Sequence, residues 1–257
     1  MVERIWTAAL VVIGDEILSG RTQDKNIAQI ATWLNAQGIR LSEVRVVPDV
    51  QDRIVEAVNA LRAGNDYCFT TGGIGPTHDD ITVDAIAAAL GVPVVIHPEA
   101  RAVLDRYYAA KGLELTEARL RMARVPEGAE LIRNKMSGAP GIRIGSLFVL
   151  AGVPHIAAGM LDALTGELEG GLPLVSRTIG SWGAESEVAE LLASTERAYN
   201  QGTGAGVAIG SYPFFKDGRV GANFVVRATD QAVVDACTDA LAEALRADGH
   251  EAFEGGI

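Results

Sequence analysis

The run Thr70-Thr71-Gly72-Gly73-Ile74-Gly75-Pro76-Thr77-His78-Asp79-Asp80-Ile81-Thr82 gathers the side chains best suited to chemistry in this sequence. It follows a short apolar stretch, Tyr67-Cys68-Phe69, and leads into a helical pattern carried by Ile81, Ala85, Ile86, Ala89 and Leu90. Glycines at a strand-to-helix turn let the backbone pass close to a ligand, because no Cβ stands in the way. Exposed N–H groups and the positive end of the helix then suit an anion, most often a phosphate. Two aspartates in the same turn would repel that phosphate unless a divalent cation, Mg²⁺ or a similar hard ion, bridges the two. A tight turn whose aspartates cap the helix is the plainer reading of the same residues.

More acid follows the other apolar runs. Gly14, Asp15, Glu16 and Ser19 come after the first, and Asp24 and Asn26 open the first helical pattern. Asp49 follows Pro48 at the end of the second run. Singly, each has a bland reading: Asp24 as an N-cap, Asp49 as a turn residue, Asp15 and Glu16 as solvated loop acids. Ligands of open parallel sheets collect beyond the carboxyl ends of the strands, so these loops are expected to converge with the glycine turn on one edge. Carboxylates so placed suit a hard ion held against a pyrophosphate, with a water activated beside it.

The elements that must do this positioning alternate regularly. Ala8 to Ile13 reads as a strand buried on both faces, and 24–37 as a helix through Ile27, Ile30, Ala31 and Leu34. Ile39 to Val47 is strand-like, Gln51 to Ala63 helical, and Asp66 to Thr71 a third strand. This β-α-β-α-β order predicts an α/β fold, a mostly parallel sheet with helices on both faces. Beyond it, helices are expected over 98–110, 116–123 and 154–168, with a strand over 147–150. Glu169-Gly170-Gly171-Leu172-Pro173 breaks the pattern and sets a boundary between domains 1–170 and 174–257. The second reads as βαββα: strand 174–179, helix 185–199, a hairpin of 207–212 with 220–227 turning at Lys216-Asp217-Gly218, and helix 230–246. The aromatic cluster from Tyr212 to Phe215 is expected to pack the hairpin rather than stack on bases.

Composition narrows the classes of function. A formal charge of −11 over 257 residues argues against general nucleic-acid binding. No apolar run approaches the ~20 residues of a membrane span. The opening Met1-Val2-Glu3-Arg4 does not resemble a signal peptide. A cytoplasmic protein with no membrane partner is expected. Cys68 and Cys237 lack metal-ligand spacing and read as reduced core thiols.

The sequence TTGGIGPTHDDIT resembles the signature of the MoaB/MogA-type molybdopterin-binding family, in the form found in the CinA (competence/damage-inducible protein A) family. The companion motifs stand in order: residues 13–20 (IGDEILSG), 24–26 (DKN), 47–49 (VPD), 137–141 (SGAPG) and 151–154 (AGVP). The resemblance covers about 160 residues and implies a MogA-like three-layer domain followed by a small KH-like domain. A KH domain that binds RNA wants a basic GxxG loop, and 201–206 has no lysine or arginine, so no nucleic-acid partner is expected. The resemblance further implies that Asp49 and Asp80 are the functional acids, with Asp79 beside them for metal, and that Asp24 is the acid of the family's SG…D motif. Thr71, Gly72, Gly73 and Gly75 match the phosphate-cradling turn, flanked by Thr77 and Thr82. Ser137 marks a second ligand-facing loop. Gly152 and Pro154 keep the glycine approach and the helix-starting proline of an element whose first proline is here Ala151.

Two functions are implied. One is a metal-dependent pyrophosphatase acting on an ADP-ribose- or FAD-like dinucleotide. The other is a carrier of molybdopterin, or molybdenum cofactor, with little or no catalysis. A non-catalytic assembly module is a third reading. A small phosphorylated ligand, nucleotide or pterin, and a homo-oligomer, dimer or trimer, are expected. Longer CinA proteins also carry a nicotinamide mononucleotide deamidase domain, which finds no counterpart before Ile257, so no deamidase activity is expected.

Overall fold

The computed structural model describes residues 4–134, 136–201 and 206–257. Most of the 201–206 loop therefore lies outside the described residues, as do Met1 to Glu3. The chain forms two compact units, Met1–Gly171 and Leu172–Ile257.

The first unit is built on β1 (Trp6–Ile13), α1 (Asp15–Leu18), α2 (Asn26–Ala36), β2 (Ile39–Val47), α3 (Gln51–Gly64), β3 (Tyr67–Thr71) and α4 (Thr82–Leu90). An outlying β4 (Val94–Ile96), α5 (Pro98–Ala109) and α6 (Glu117–Leu120) follow, then β5 (Arg124–Pro126), β6 (Glu130–Ile132), β7 (Gly141–Ile144), β8 (Leu147–Leu150) and α7 (Pro154–Ala163). The main sheet runs β2-β1-β3-β8-β7-β6. Its first four strands pair in parallel, while β7 and β6 add an antiparallel edge.

Alternation along β1 explains the layers, since successive side chains of a strand point to opposite faces. Ala9, Val11 and Ile13 join Ile54, Val58 and Leu61 of α3 and Ile86 of α4 in one core. Ala8, Leu10 and Val12 join Ile30 and Leu34 of α2 and Met160 and Leu161 of α7 on the other side. With both faces covered, β1 is apolar throughout, which is why its sequence shows no polar alternation. Phe69 and Phe148, both fully buried, stack at 4.7 Å between ring centroids and fix β3 against β8.

Several boundaries differ from the sequence reading. The helix expected over 116–123 is only α6 followed by a 3-10 turn, Arg121–Ala123. The α7 helix stops at Ala163 rather than 168, because Gly166 takes a left-handed φ of 81° in a turn that closes onto Leu164.

The second unit comprises β9 (Val175–Trp182), α8 (Ala189–Asn200), β10 (Ala208–Lys216), β11 (Arg219–Ala228), α9 (Gln231–Ala247) and β12 (Phe253–Glu254). The last strand, absent from the sequence reading, completes a sheet of order β10-β11-β9-β12, antiparallel throughout. This is a split β-α-β arrangement. Asp217 and Gly218 both have positive φ, the signature of a two-residue Asp-Gly hairpin turn. Phe214 packs edge-on against Trp182, at 5.5 Å, whereas Phe215 is 74% exposed. Arg177 of β9 pairs with Asp235 and Asp239 of α9 and Glu254 of β12, which holds the short last strand in place.

Both cysteines are buried and unpaired, in separate units. Burial pushes the Cys68 thiol up to about 12 and the Cys237 thiol up to about 11. Neither is a thiolate at neutral pH, so a disulfide reagent such as dithionitrobenzoate is expected to label neither until the chain is unfolded. Fast labelling of Cys68 in the native protein would show that β3 is far less protected than this.

Candidate functional site

The carboxyl ends of four parallel strands meet at one edge of the main sheet, and their loops are tied to one another. Gly14 N–H donates to Val47 O at 3.1 Å, linking the exits of β1 and β2. The Gly72 N–H donates to Leu150 O at 3.2 Å, linking β3 to β8. Asn26, 3% exposed at the start of α2, donates from Nδ2 to Gly152 O at 2.8 Å. The sequence brings these loops together because each leaves a strand of the same parallel array in the same direction.

A cavity of about 530 Å³ opens at this edge. One wall is the turn Gly72-Gly73-Ile74-Gly75-Pro76 with the Asp80 carboxylate, and Glu16 and Thr22 contribute from the loop after β1. Ser137 and Ala139 come from the loop before β7, and Ala151 to Pro154 from the loop after β8. Met122, Ile156 and Met160 make an apolar floor. No lysine or arginine is among the described residues that line it.

Of the residues expected from the sequence, Glu16, Gly72, Gly73, Gly75, Asp80, Ser137, Gly152 and Pro154 line this cavity. The others hold it together or stand beside it. Thr82 is fully buried, its hydroxyl donating to Gly72 O at 2.9 Å and its N–H to Gly73 O at 3.0 Å. Thr71 is also buried, and its hydroxyl has no partner among the described residues. Thr82 thereby braces the turn. Thr77 donates its N–H (2.8 Å) and its hydroxyl to Asp80 Oδ2, fixing that carboxylate inside the turn. Asp24 accepts the Ile27 N–H at 2.7 Å and so starts α2, the capping role weighed from the sequence. Ser19 is exposed and donates to Glu16 O.

Asp49 lies outside the cavity lining. Its Oδ2 accepts the Asp15 N–H at 3.0 Å, which anchors the loop that presents Glu16. Asp79 is exposed. Asp49 accepts the Asp15 N–H, and Asp80 the N–H and hydroxyl of Thr77, each through Oδ2. Among the described residues, no three acidic, histidine or cysteine side chains are placed to hold a metal ion.

Electrostatics still join these acids. Burial raises the Asp49 carboxyl above its ordinary 3.8; the Asp15 N–H opposes that shift, and the charges of Asp15, Glu16 and Asp79 add to it. A carboxyl whose value is raised by folding holds its proton more tightly in the folded chain than in the unfolded one. Its contribution to stability is then complete below 3.8 and is lost as pH rises through the raised value. At neutral pH its charge opposes folding. Asp49→Asn keeps an acceptor for the Asp15 N–H and removes that charge. The variant is expected to melt above the wild type at pH 7, with the gap closing as pH falls below 3.8. Melting below the wild type at pH 7 would contradict this account of the cluster.

The sequence reading missed the floor. Met122, Ile156 and Met160 sit at ordinary core spacings, and nothing in their types distinguishes a ligand-facing apolar residue from a packed one. It also missed Arg121, which donates from Nη2 to Asp80 O at 3.2 Å.

Comparison with known proteins covers both units. A family model described as a probable molybdopterin binding domain matches residues 9–170, and one described as the middle domain of FAD synthase matches residues 173–253. A protein of Aeropyrum pernix is 38% identical over 163 residues, 62% of this chain and 60% of that protein. The CinA-like protein of Desulfosudis oleivorans is 36% identical over 199 residues, 72% of this chain and 48% of that protein. The matched segment thus spans about half to three-fifths of these relatives' length. Among solved structures, the protein CinA of unknown function from Thermoplasma acidophilum superposes with a TM-score of 0.59 at 32% identity, covering 63% of this chain and 99% of that one.

Proposed function

The chain belongs to the probable molybdopterin binding domain family and is CinA-like, and from that premise we propose that it hydrolyses the pyrophosphate of an ADP-ribose- or FAD-like dinucleotide. The observation that carries this reading is the composition of the cavity. The glycine turn, the acids Glu16 and Asp80, and the apolar side chains of Met122, Ile156 and Met160 together line about 530 Å³. Such a space accepts a flat heterocycle on the floor and a phosphorylated group at the turn. The likeness of the second unit to the middle domain of FAD synthase supports a dinucleotide that contains a pyrophosphate.

A carboxylate wall facing a pyrophosphate calls for a cation. The donor set fits Mg²⁺ shared with the ligand better than a metal held by the protein alone, because Mg²⁺ commonly binds through one or two carboxylates plus substrate phosphates. Glu16 would hold it together with the ligand's phosphates, and the ion would neutralise charge developing on the phosphate oxygens. Asp80, whose Oδ2 takes the Thr77 bonds, would be the base that takes a proton from an attacking water. Asp49 positions the Glu16 loop through the Asp15 N–H.

A second reading, a pterin carrier, is favoured by the family description itself. The two are separated by thermal shift with ADP-ribose, FAD, AMP and a pterin, each with and without Mg²⁺, followed by chromatography of the products. The hydrolase reading expects FAD or ADP-ribose to raise the melting temperature in the presence of Mg²⁺ and AMP to appear. A shift with the pterin and no cleavage of either dinucleotide would establish the carrier instead.

A further inference from the structure

The described lining of the cavity leaves a charge deficit. It holds the carboxylates of Glu16 and Asp80 and no basic side chain, so a bound pyrophosphate adds negative charge to negative charge. Two arginines stand behind the same turn, and they are not equivalent. Arg124 is committed, since both of its terminal nitrogens donate to the Asp84 carboxylate. Arg121 makes no ion pair among the described residues. Its Nη2 donates to the main-chain carbonyl of Asp80 at 3.2 Å, and its Nε–H is buried with no partner among the described residues.

An unmatched buried N–H on a charged group is costly and so asks for an explanation. The position of Arg121 supplies one. It lines a small cleft, about 10 Å³, together with Ile74, Gly75 and Asp80. Those three residues also line the main cavity, so the guanidinium and the ligand space share one wall. Guanidinium is the side-chain group whose planar fork matches phosphate oxygens.

We infer that Arg121 is the cation that recognises phosphate at this site, a role that rests on the phosphorylated-ligand reading above. Its bond to Asp80 O holds the guanidinium against the back of the glycine turn, and its remaining terminal N–H donors would answer the charge that a pyrophosphate brings there. Arg124, locked to Asp84, does not share this role.

The test is calorimetric titration of the full chain with magnesium pyrophosphate. Loss of a charge-assisted hydrogen bond predicts that Arg121→Gln weakens binding about tenfold to a hundredfold. Arg121→Lys, which keeps the charge and loses the fork, is expected to fall between Arg121→Gln and the wild type. Melting temperatures without ligand separate this effect from a purely structural one, which would lower stability and leave the affinity of the folded protein alone. Should Arg121→Gln fail to fold, Arg121→Lys and the unmodified chain carry the test: magnesium pyrophosphate should slow phenylglyoxal modification of Arg121, located by mass spectrometry. Affinity within twofold of the wild type in the folded variant, or no protection of Arg121, overturns the inference and leaves the phosphate site standing. No binding of magnesium pyrophosphate by the wild type overturns both.

Discussion

Replacing Asp80 by asparagine is expected to lower dinucleotide hydrolysis by about a thousandfold, within the range that a positioned general base contributes, and to leave the melting temperature almost unchanged. The two halves of that expectation have separate causes. Asparagine keeps a side-chain oxygen to accept the Thr77 N–H and hydroxyl, which is how Asp80 is held in the turn. What it loses is the negative charge and the basicity of the oxygens that line both the main cavity and the small cleft behind it. Turnover is read by the appearance of AMP from ADP-ribose or FAD with Mg²⁺, and folding by thermal denaturation. Undiminished hydrolysis by the variant would remove Asp80 from the chemistry and shift attention to Glu16, the other carboxylate of the lining. Retained dinucleotide binding with lost turnover would separate its catalytic part from any part in affinity. The same substitution at Asp49 is expected to act weakly on turnover, because asparagine still anchors the Asp15 N–H and the Asp49 carboxylate does not line the cavity.

That contrast between Asp49 and Asp80 marks the limit of what the sequence made legible. The apolar run of β1, the helical spacing in α2 to α4 and the glycine breaks between them announce a parallel sheet with two covered faces. These elements are long enough for periodicity to speak, and their loops must then leave at one edge. Short strands carry little periodicity, and β8, with four residues, is legible only as an unbroken apolar run. With three or four residues each, β4 to β7 hold too few repeats to separate strand from loop, and β12, with two, exists only through its pairing to β9. Within the site, residue type and spacing located the turn but not the direction of each side chain. Thr71 and Thr82 are polar and lie in the signature, yet both are buried, and Thr82 ties the turn through Gly72 O. Asp24, Asp49 and Asp80 look alike in sequence and differ in what their carboxylates accept: the N–H of Ile27, the N–H of Asp15, and the N–H and hydroxyl of Thr77. Arg121 lies about forty residues beyond the signature, outside any motif, and reaches Asp80 only through the fold.

The glycines of the turn invite the same question, and the second large effect answers it. Gly72 has a φ of 100°, a backbone conformation that side-chain-bearing residues rarely adopt, and an added Cβ would stand 2.1 Å from the carbonyl oxygen of Ile13. Neither strain is relieved by moving a side chain, because the obstacle is the end of β1 itself. On its other flank Gly152 approaches so closely that its own added Cβ would lie 3.2 Å from the Gly72 Cα. Gly72→Ala is therefore expected to destabilise the first unit by about 3–5 kcal/mol, about 2 from the backbone conformation and the rest from overpacking. Gly75 is different. Its added Cβ would meet only the Asp80 carboxylate, at 2.6 Å, and a side-chain tip can shift. Gly75→Ala is expected to fold with nearly normal stability and to lose hydrolysis as Asp80 is displaced. Urea unfolding followed by Trp6 and Trp33 in a Trp182→Phe background reports on the first unit alone, since the third tryptophan lies in the second. If Gly72→Ala unfolds like the parent and only ligand binding suffers, then the glycine serves the approach of a ligand, and the packing of three loop ends onto one another is not what demands it.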